Sequence, residues 1–219
     1  TEKTFKPVIS KDYETVFNYV DTNSSRASID SINSKFEHQK IAIIGLGGTG
    51  SYILDLVAKT PVKEIHLFDG DDFDQHNAFR APGAASLGDL EKHMKKTDYL
   101  ASIYSNMHKN VIPHGFYMDD TNIDRLGEMN FVFLCIDKNS VRKIIVDYLL
   151  NAEIPFIDVG LGVIEVDGKL SGLVRTTTVT EGISSQALSS IPMVDSDIDD
   201  AYSSNIQIAD LNALNACFA

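Results

Sequence analysis

Residues 41–51, with the sequence IAIIGLGGTGS, join a continuous apolar run to a cluster of glycines. An uninterrupted apolar run is typical of a strand buried in a parallel sheet. Glycines directly after such a strand let the backbone turn sharply and approach a phosphate group without an intervening side chain. A helix from about residue 49 to residue 58 would direct its free amide groups at that anion. The stretch therefore predicts a nucleotide phosphate site where a strand meets a helix.

The second strand narrows the choice of nucleotide enzyme. Residues 64–68 form this strand, and Asp69 follows at its carboxyl end, where a carboxylate can bond the ribose hydroxyls of a nucleotide. A dehydrogenase fits equally well up to this point, because several classes of nucleotide enzyme share such a glycine turn. Residues 69–80, DGDDFDQHNAFR, then place carboxylates, an amide and an arginine beside the turn. Hydride transfer needs no such cluster, so a dehydrogenase becomes the least favoured class.

Five elements in this order resemble the ThiF/MoeB-type adenylyltransferases, a family that includes the adenylation domains of ubiquitin-activating enzymes. Residues 45–51 are similar to the GxGGxGS loop of that family, and Asp69 is similar to its ribose-binding acid. Asn77 with Arg80 matches the family's Asn-x-x-Arg element. Lys96 matches the lysine that opens the family's next helix, and Asp137 matches its magnesium-binding aspartate.

The resemblance implies a site for ATP and magnesium. The nucleotide would be bound by Gly45, Gly47, Gly48, Gly50, Ser51, Asp69, Asp71, Asn77, Arg80 and Lys96. Arg80, Lys96 and Asp137 would be the catalytic residues, with Asp137 as the metal ligand and Arg142 at the usual offset after it. The chain departs from the family pattern at Phe79, Ala81 and Lys138, where glutamine, glutamine and asparagine are common. These departures affect the fine positioning of groups more than the reaction.

Members of this family join a carboxylate to the α-phosphorus of ATP and release pyrophosphate. The carboxylate is typically the C-terminal glycine of a ubiquitin-like or sulfur-carrier protein. A terminal carboxyl has a pKa of about 3.5 and is already ionised at neutral pH, so the reaction needs no general base. The obstacle is repulsion between two anions, which a site overcomes with cations and oriented amides. Magnesium prefers oxygen ligands and keeps several waters, so one carboxylate and the ATP phosphates suffice to hold it.

Simpler explanations exist for the individual residues. Asp69 could cap the turn, Asn77 could cap a short helix, and Lys96 could lie on a solvated helix face. The adjacent Lys95 could replace Lys96 in its role. Leu100 and later apolar residues follow Lys96 at helical spacing, which favours Lys96 because it places this lysine beside the buried stripe.

The alternation of strands and helices predicts an α/β, Rossmann-like fold with a mainly parallel sheet and helices on both faces. Around Asp167 and Gly168, residues 163–175 predict a hairpin, an antiparallel extension after the fifth strand. In the family such an extension helps to bind the protein substrate. The predicted elements are residues 40–44, 51–58, 64–68, 96–109, 111–117, 131–136, 140–151 and 156–159.

The predicted domain organisation is an N-terminal helical lead-in over residues 1–39, followed by an ATP-binding adenylation domain over residues 40–219. Helical patches are expected at residues 13–20 and 27–36. Residues 176–204 are rich in Ser, Thr and Asp and predict either a mobile crossover above the nucleotide or an exposed linker. Because the chain starts without Met and stops near the helical stretch 211–218, we expect residues to be missing at its ends.

Composition restricts the partners. The 219 residues carry a formal charge of -12, which argues against nucleic acid and anionic membranes as general partners. No run approaches the roughly 20 apolar residues of a membrane span and no secretory leader is seen, so we expect a cytoplasmic protein. Six histidines lack ligand spacing, and only His76 neighbours the predicted site.

Two cysteines are too few for the four-cysteine zinc site of some relatives, so no zinc is expected. Cys135 is expected in the core and Cys217 on the buried side of a helix, and neither predicts a thioester step. Arg26 is the only arginine before the glycine turn. Resembled enzymes often borrow such an arginine from a partner subunit, which implies a homodimer.

Three functions remain at this level. The favoured one is adenylation of the C-terminus of a ubiquitin-like or sulfur-carrier protein. The second is ATP-dependent activation of a small-molecule or tRNA-linked carboxylate, against which the negative charge argues where tRNA is concerned. The third is a catalytically silent regulatory scaffold of the same fold, against which the presence of Asp137 and Arg80 argues.

Overall fold

A computed structural model describes residues 15–180, 188–194 and 208–219. Its strands are β1 Lys40–Ile44, β2 Glu64–Phe68, β3 Val111–His114, β4 Phe131–Leu134, β5 Phe156–Val166 and β6 Lys169–Val179. They form one sheet in the order β3-β2-β1-β4-β5-β6. The first five strands are parallel, and β6 pairs antiparallel with β5. The predicted Rossmann-like sheet with its antiparallel extension is confirmed.

The helices connect and flank these strands. They are α1 Thr22–Ala27, α2 Asp30–Asn33, α3 Gly48–Val57, α4 Gln75–Ala78, α5 Leu87–Leu90, α6 Lys96–Tyr104, α7 Asn139–Asn151 and α8 Ala209–Phe218, with short 3-10 segments at Ser34–Phe36 and Ile123–Glu128. In the part of the chain that the structure describes, no helix has both the length and the apolar character that a membrane crossing requires.

The side chains of the central strand β1 alternate between the two faces of the sheet and so belong to two separate layers of the core. Ile41 and Ile43 of β1 face one side of the sheet and pack in a cluster that includes side chains from α3, α6 and α8. Ala42 and Ile44 face the other side, in a cluster that includes the buried residues of α7. Successive strand residues point to opposite faces, so helices cover both faces of the sheet as predicted.

The hairpin has the predicted turn, but its first strand is longer than expected. Asp167 and Gly168 both adopt positive φ, as a two-residue hairpin loop requires. β5 runs unbroken from Phe156 to Val166, so the predicted strand 156–159 and the first half of the hairpin are one strand. β6 extends to Val179, which shows that residues 176–179 are strand and not linker.

Other boundaries also differ from the prediction. α6 ends at Tyr104 and not at residue 109, and the strands predicted over 111–117 and 131–136 are shorter. The helix predicted over 13–20 is wrong for residues 15–20, because Phe17 forms an antiparallel bridge with His108 and none of these residues is helical. The predicted patch 27–36 is interrupted at Ser28, whose φ of 56° ends α1. Residues 13, 14, 181–187 and 195–207 lie outside the described residues.

Candidate active site

The glycine turn sits between β1 and α3 and requires glycine at two positions. Gly45 has a φ of 89°, and a Cβ there would lie 2.5 Å from the carbonyl oxygen of Cys135. Its amide donates to the carbonyl of Phe68 at 2.8 Å, which fixes the turn to the end of β2. A Cβ on Gly50 would overlap the carbonyl oxygen of Gly45. The turn therefore packs as closely against its own helix as a phosphate-binding turn must.

The remaining members of the turn face different surroundings. Gly47 has no atom within 4 Å of the position that a Cβ would take, so its backbone is open to a ligand. Gly48 is covered by Asn212 of α8. Ser51 is fully buried and its hydroxyl donates to the carbonyl of Gly48 at 2.8 Å. Of the predicted phosphate contacts in this turn, Gly47 therefore has open space at its Cα, whereas the Ser51 hydroxyl bonds within its own helix.

Asp69 holds the turn in place. One carboxylate oxygen accepts the amide of Leu46 at 2.7 Å, and the other accepts the amide of Asp71 at 2.9 Å. The residue is 8% exposed. The capping role considered for this residue is present in the structure, and the ribose contact stays a prediction.

A cavity of about 470 Å³ opens beyond the ends of β2 and β3. A volume of this size is in the range of small-molecule sites. The cavity contains three predicted site residues, Asp71, Asn77 and Lys96, and also His76, the predicted neighbour of the site. Its lining consists of Gly70, Asp71, Asp72, Asp74, His76, Asn77, Lys95, Lys96 and Tyr117. Arg80 and Asp137 do not belong to this lining.

Both lysines of the cavity are paired with acids. Lys96 Nζ lies 2.6 Å from Asp71 Oδ2, and Lys95 Nζ lies 2.8 Å from Asp72 Oδ1. Lys96 has 9% side-chain exposure against 40% for Lys95, which confirms the expectation that Lys96 lies beside the buried stripe. The cavity therefore carries three aspartates against two lysines and is not a patch of unpaired cations.

Tyr117 was missed by the sequence interpretation. Its hydroxyl donates to Asp71, and its ring lies over Gly70, where a Cβ would come within 2.8 Å of the ring. The hydrogen bond with Asp71 raises the pKa of Tyr117 to about 12. For Asp71, burial raises the pKa, but the hydrogen bonds from Lys96 and Tyr117 outweigh it and lower the pKa overall. Asp71 is therefore ionised at neutral pH.

Asn77 and Arg80 carry buried donors without partners. The Oδ1 atom of Asn77 accepts the amide of Asp74 at 2.9 Å, which is the helix-capping role considered above. Its Nδ2 atom is buried and has no hydrogen-bond partner in the described residues, and the same holds for Nε of Arg80. Burial lowers the pKa of the Arg80 guanidinium. Buried donors are normally satisfied, so these two are candidates for contact with a bound acceptor.

Asp137 lies three residues beyond the end of β4, at the carboxyl edge of the sheet, and is exposed. The preceding Ile136 places its Cγ2 atom 3.1 Å from where a Cβ of Gly45 would stand, so the Asp137 turn and the glycine turn are packed together. In the described residues, no group of three or more His, Cys, Asp or Glu side chains is arranged to hold a metal. A single exposed carboxylate fits a magnesium ion that takes its other ligands from phosphates and water.

The sequence interpretation also missed a buried ion cluster near Asp137. It named Arg142 but not the two other members of the cluster. Asp158 of β5 is fully buried and pairs with Arg142 of α7 at 2.9 Å and with Arg175 of β6 at 2.6 Å. An acid inside the apolar run of residues 156–159 was the available signal, because a buried carboxylate needs a cationic partner.

The expectation for Cys135 is confirmed, and the expectation for Cys217 is wrong. Burial raises the pKa of the Cys135 thiol, consistent with an inert side chain next to the core. Cys217 is exposed and not buried. The buried residues of that helix are instead Asn212, Asn215 and Ala216.

A family model places the fold and this site in context. The model of the ThiF family matches residues 12–199. The chain belongs to the ThiF family. The resemblance predicted from the five sequence elements is therefore confirmed, and with it the class of adenylyltransferase-like proteins.

Individual ThiF-family relatives are distant. Ubiquitin-like modifier-activating enzyme 5 of Culex quinquefasciatus is 26% identical over 122 residues, which cover 51% of this chain and 31% of that protein. A crystal structure of E. coli MccB with ATP is 17% identical and has a TM-score of 0.66, covering 95% of this chain and 62% of the other. A crystal structure of E. coli tRNA N6-threonylcarbamoyladenosine dehydratase, TcdA, in complex with AMP is 20% identical and has a TM-score of 0.60. The match covers 74% of this chain and 65% of TcdA. The chain thus spans less than two thirds of each of these relatives, and the structural matches establish the fold alone.

Proposed function

We propose that this ThiF-family protein binds ATP with magnesium and adenylates the C-terminal carboxylate of a ubiquitin-like or sulfur-carrier protein, releasing pyrophosphate. The observation that carries the proposal is a pair of buried, unpartnered donors: Nδ2 of Asn77, which lines the cavity, and Nε of Arg80, three residues further along the chain. Donors that lack acceptors in the free protein are available to a phosphate, and both belong to the Asn-x-x-Arg element of the family.

The chain supplies the electrostatic groups that the reaction needs. In the step, a carboxylate oxygen forms a bond with the α-phosphorus, and the bond from that phosphorus to the bridging oxygen breaks, so pyrophosphate leaves. Arg80, Lys96 and the open backbone at Gly47 would stabilise the developing charge. Asp137 would hold a magnesium ion, which neutralises phosphate charge when bound.

Lys96 has a partner to exchange before it can act. It is paired with Asp71 in the free protein, so binding of a phosphate must replace that carboxylate. Asp71 also accepts a hydrogen bond from Tyr117, so it retains one partner when Lys96 turns to a phosphate. ATP affinity in this proposal therefore includes the cost of separating Lys96 from Asp71.

The acceptor is proposed from the relatives and from charge. The relative that is 26% identical is named a ubiquitin-like modifier-activating enzyme, and MccB structures include complexes with MccA. A formal charge of -12 disfavours tRNA as the carrier of the carboxylate. We further propose that the protein acts as a homodimer, in which the exposed Arg26 at the end of α1 reaches the phosphates of the partner subunit's ATP.

The test is exchange of labelled pyrophosphate into ATP, measured with a panel of ubiquitin-like and sulfur-carrier proteins. Exchange is expected only when ATP, magnesium and a cognate acceptor are all present. The matched control is the same acceptor with an amidated C-terminus, which keeps the acceptor's fold but lacks the attacking carboxylate. Exchange with small carboxylates alone would identify the second candidate function, and no exchange with any acceptor would support a silent scaffold.

A further inference from the structure

The buried cluster around Asp158 connects three separate elements. Asp158 in β5 uses one oxygen to accept Nε of Arg142 from α7 at 2.9 Å and the other to accept Nη2 of Arg175 from β6 at 2.6 Å. The Asp158 side chain is fully buried, and Arg142 is 3% exposed. A carboxylate without solvent depends on both guanidinium groups, so the three side chains hold one another in fixed positions.

The Arg142 end of the cluster reaches the turn that carries Asp137. Its guanidinium donates to the carbonyl of Ile136 and to the side chain of Asn139. Ile136 is the residue directly before Asp137, and its side chain packs against Gly45 of the glycine turn. A movement of Arg142 would therefore move the backbone from which Asp137 projects.

The Arg175 end reaches the segment 188–194, which follows the hairpin. Nη1 of Arg175 donates to the carbonyl of Ser190 at 2.6 Å. The hydroxyls of Thr177 and Ser190 lie 3.0 Å apart and add a second link. The Arg175 guanidinium lies directly over Gly160, where a Cβ would come within 2.8 Å of Nη2. Glycine at this position gives the arginine the room to reach both Asp158 and Ser190.

We propose that Arg142, Asp158 and Arg175 couple the position of segment 188–194 to the turn that carries Asp137, so that Arg142 and Arg175 are positioning residues for the proposed metal ligand. The role of Asp137 in this inference rests on the proposed function, whereas the coupling itself rests on the contacts. An acceptor or partner that displaces segment 188–194 would then change how the site holds magnesium and ATP.

The first experiment measures the coupling in the free protein. Hydrogen exchange of the segment 135–138 is compared between wild type and Arg175→Met by mass spectrometry. In the described residues, the side-chain hydrogen bonds of Arg175 go to Asp158 and Ser190 and not to that segment, so a merely local role would leave its exchange unchanged, whereas coupling predicts faster exchange. Lys143→Met is the matched control, because it removes an exposed cation from α7, in which Arg142 also lies. If Arg175→Met does not fold, Arg175→Lys replaces it, since lysine keeps the charge but loses the fork that holds two acceptors.

The second experiment measures ATP affinity by calorimetry with and without magnesium chloride. We expect Arg175→Met to weaken ATP binding roughly tenfold in the presence of magnesium, the usual size of an effect through a residue that orients a metal ligand. Binding without magnesium should be unchanged, and Lys143→Met should match wild type in both conditions. Unchanged exchange in segment 135–138 would overturn the coupling even if ATP binds normally. Failure of wild-type protein to bind ATP would instead overturn the proposed function, and the exchange experiment would still decide the coupling.

Discussion

Lys96 and Asp71 form the tightest ion pair of the cavity, with Nζ and Oδ2 2.6 Å apart. Asp69 lies next to the same ammonium group, with its Oδ1 atom 3.9 Å from Lys96 Nζ. The lysine that the family pattern assigns to phosphate is thus already balanced by two carboxylates from the end of β2. The pair keeps a nearly buried cation in place before any anion arrives, because an unpaired ammonium group would be costly to bury.

Replacement of Lys96 by Met should remove most of the exchange of pyrophosphate into ATP. Loss of one preorganised charge at a developing anion typically costs about 2.7 to 4 kcal/mol of barrier, which is roughly a hundredfold to a thousandfold in rate. Steady-state exchange assays measure this directly. The control is Lys92→Met, which removes an exposed lysine paired with Asp89 and should retain the wild-type rate. Equal rates for wild type and Lys96→Met would rule out the assigned role.

Arg80→Ala and Asp137→Ala should each lose most of the exchange activity while the protein remains folded. Asp137 is exposed, and Arg80 has no hydrogen-bond partner for its Nε in the described residues, so neither supports the core. Far-ultraviolet circular dichroism and the midpoint of urea unfolding check the fold. Wild-type exchange in both variants would refute the site.

Replacement by alanine should lower stability at Gly50 and ATP affinity at Gly47. In Gly50→Ala the new Cβ overlaps the carbonyl oxygen of Gly45, so we expect at least the roughly 1 to 3 kcal/mol loss in the free energy of unfolding that is typical of overpacking. In Gly47→Ala the new Cβ enters open space, and stability should stay within about 0.5 kcal/mol. ATP affinity measured by calorimetry should nevertheless fall, because the methyl group stands between backbone and phosphate. Normal ATP affinity in Gly47→Ala would show that phosphate does not bind there.

Breaking the Asp158 cluster should destabilise the fold strongly. Asp158→Ala leaves two guanidinium groups near each other without their carboxylate, and loss of one partner of a buried pair typically costs about 3 to 5 kcal/mol. Urea unfolding gives the change in the free energy of unfolding. The exposed pair of Lys143 and Asp147 serves as the comparison, and Asp147→Ala should cost less than about 1 kcal/mol. Similar losses in the free energy of unfolding for the two variants would contradict the stabilising role assigned to Asp158.

The stability of the protein should fall at mildly acidic pH because of His114. Burial, followed by the charges of His66 and Arg125, lowers the pKa of His114 to about 4. In the unfolded chain its pKa is about 6.5, so between these values the unfolded state takes up a proton that the folded state does not. This contribution is fully present above about pH 6.5 and is lost as pH falls toward 4. His114→Phe, which retains a ring against Phe68, should show a smaller fall in unfolding free energy over this window, and an identical slope would contradict the shift.

The sheet could be predicted because its signals are local. The apolar run of residues 41–44 and the glycines after it fix β1 and the start of α3, and Asp167 with Gly168 fixes the hairpin turn. The bridge that Phe17 forms could not be predicted, because its partner, His108, lies far along the chain. The exposure of Cys217 could not be predicted for a related reason, since two of the three buried residues of α8 are asparagines, Asn212 and Asn215, and the third is Ala216.

Some residues of the cavity could be predicted from the sequence, but their pairings could not. Asn77 and Lys96 were identified from their order in the chain, and the structure brings both into one cavity. That Asp71 would neutralise Lys96, and that Asp69 would hold the glycine turn, depends on side-chain geometry that spacing does not encode. Tyr117 carried no sequence signal, because a single tyrosine after a strand has many structural uses.

The mass of a candidate acceptor protein after incubation with ATP, magnesium and this protein gives the clearest decision. The proposed function predicts an AMP adduct on the acceptor's C-terminal carboxylate, absent when that terminus is amidated and absent with Asp137→Ala. Conversion of ATP to ADP with no adduct on any acceptor would contradict adenylation as the reaction of this site.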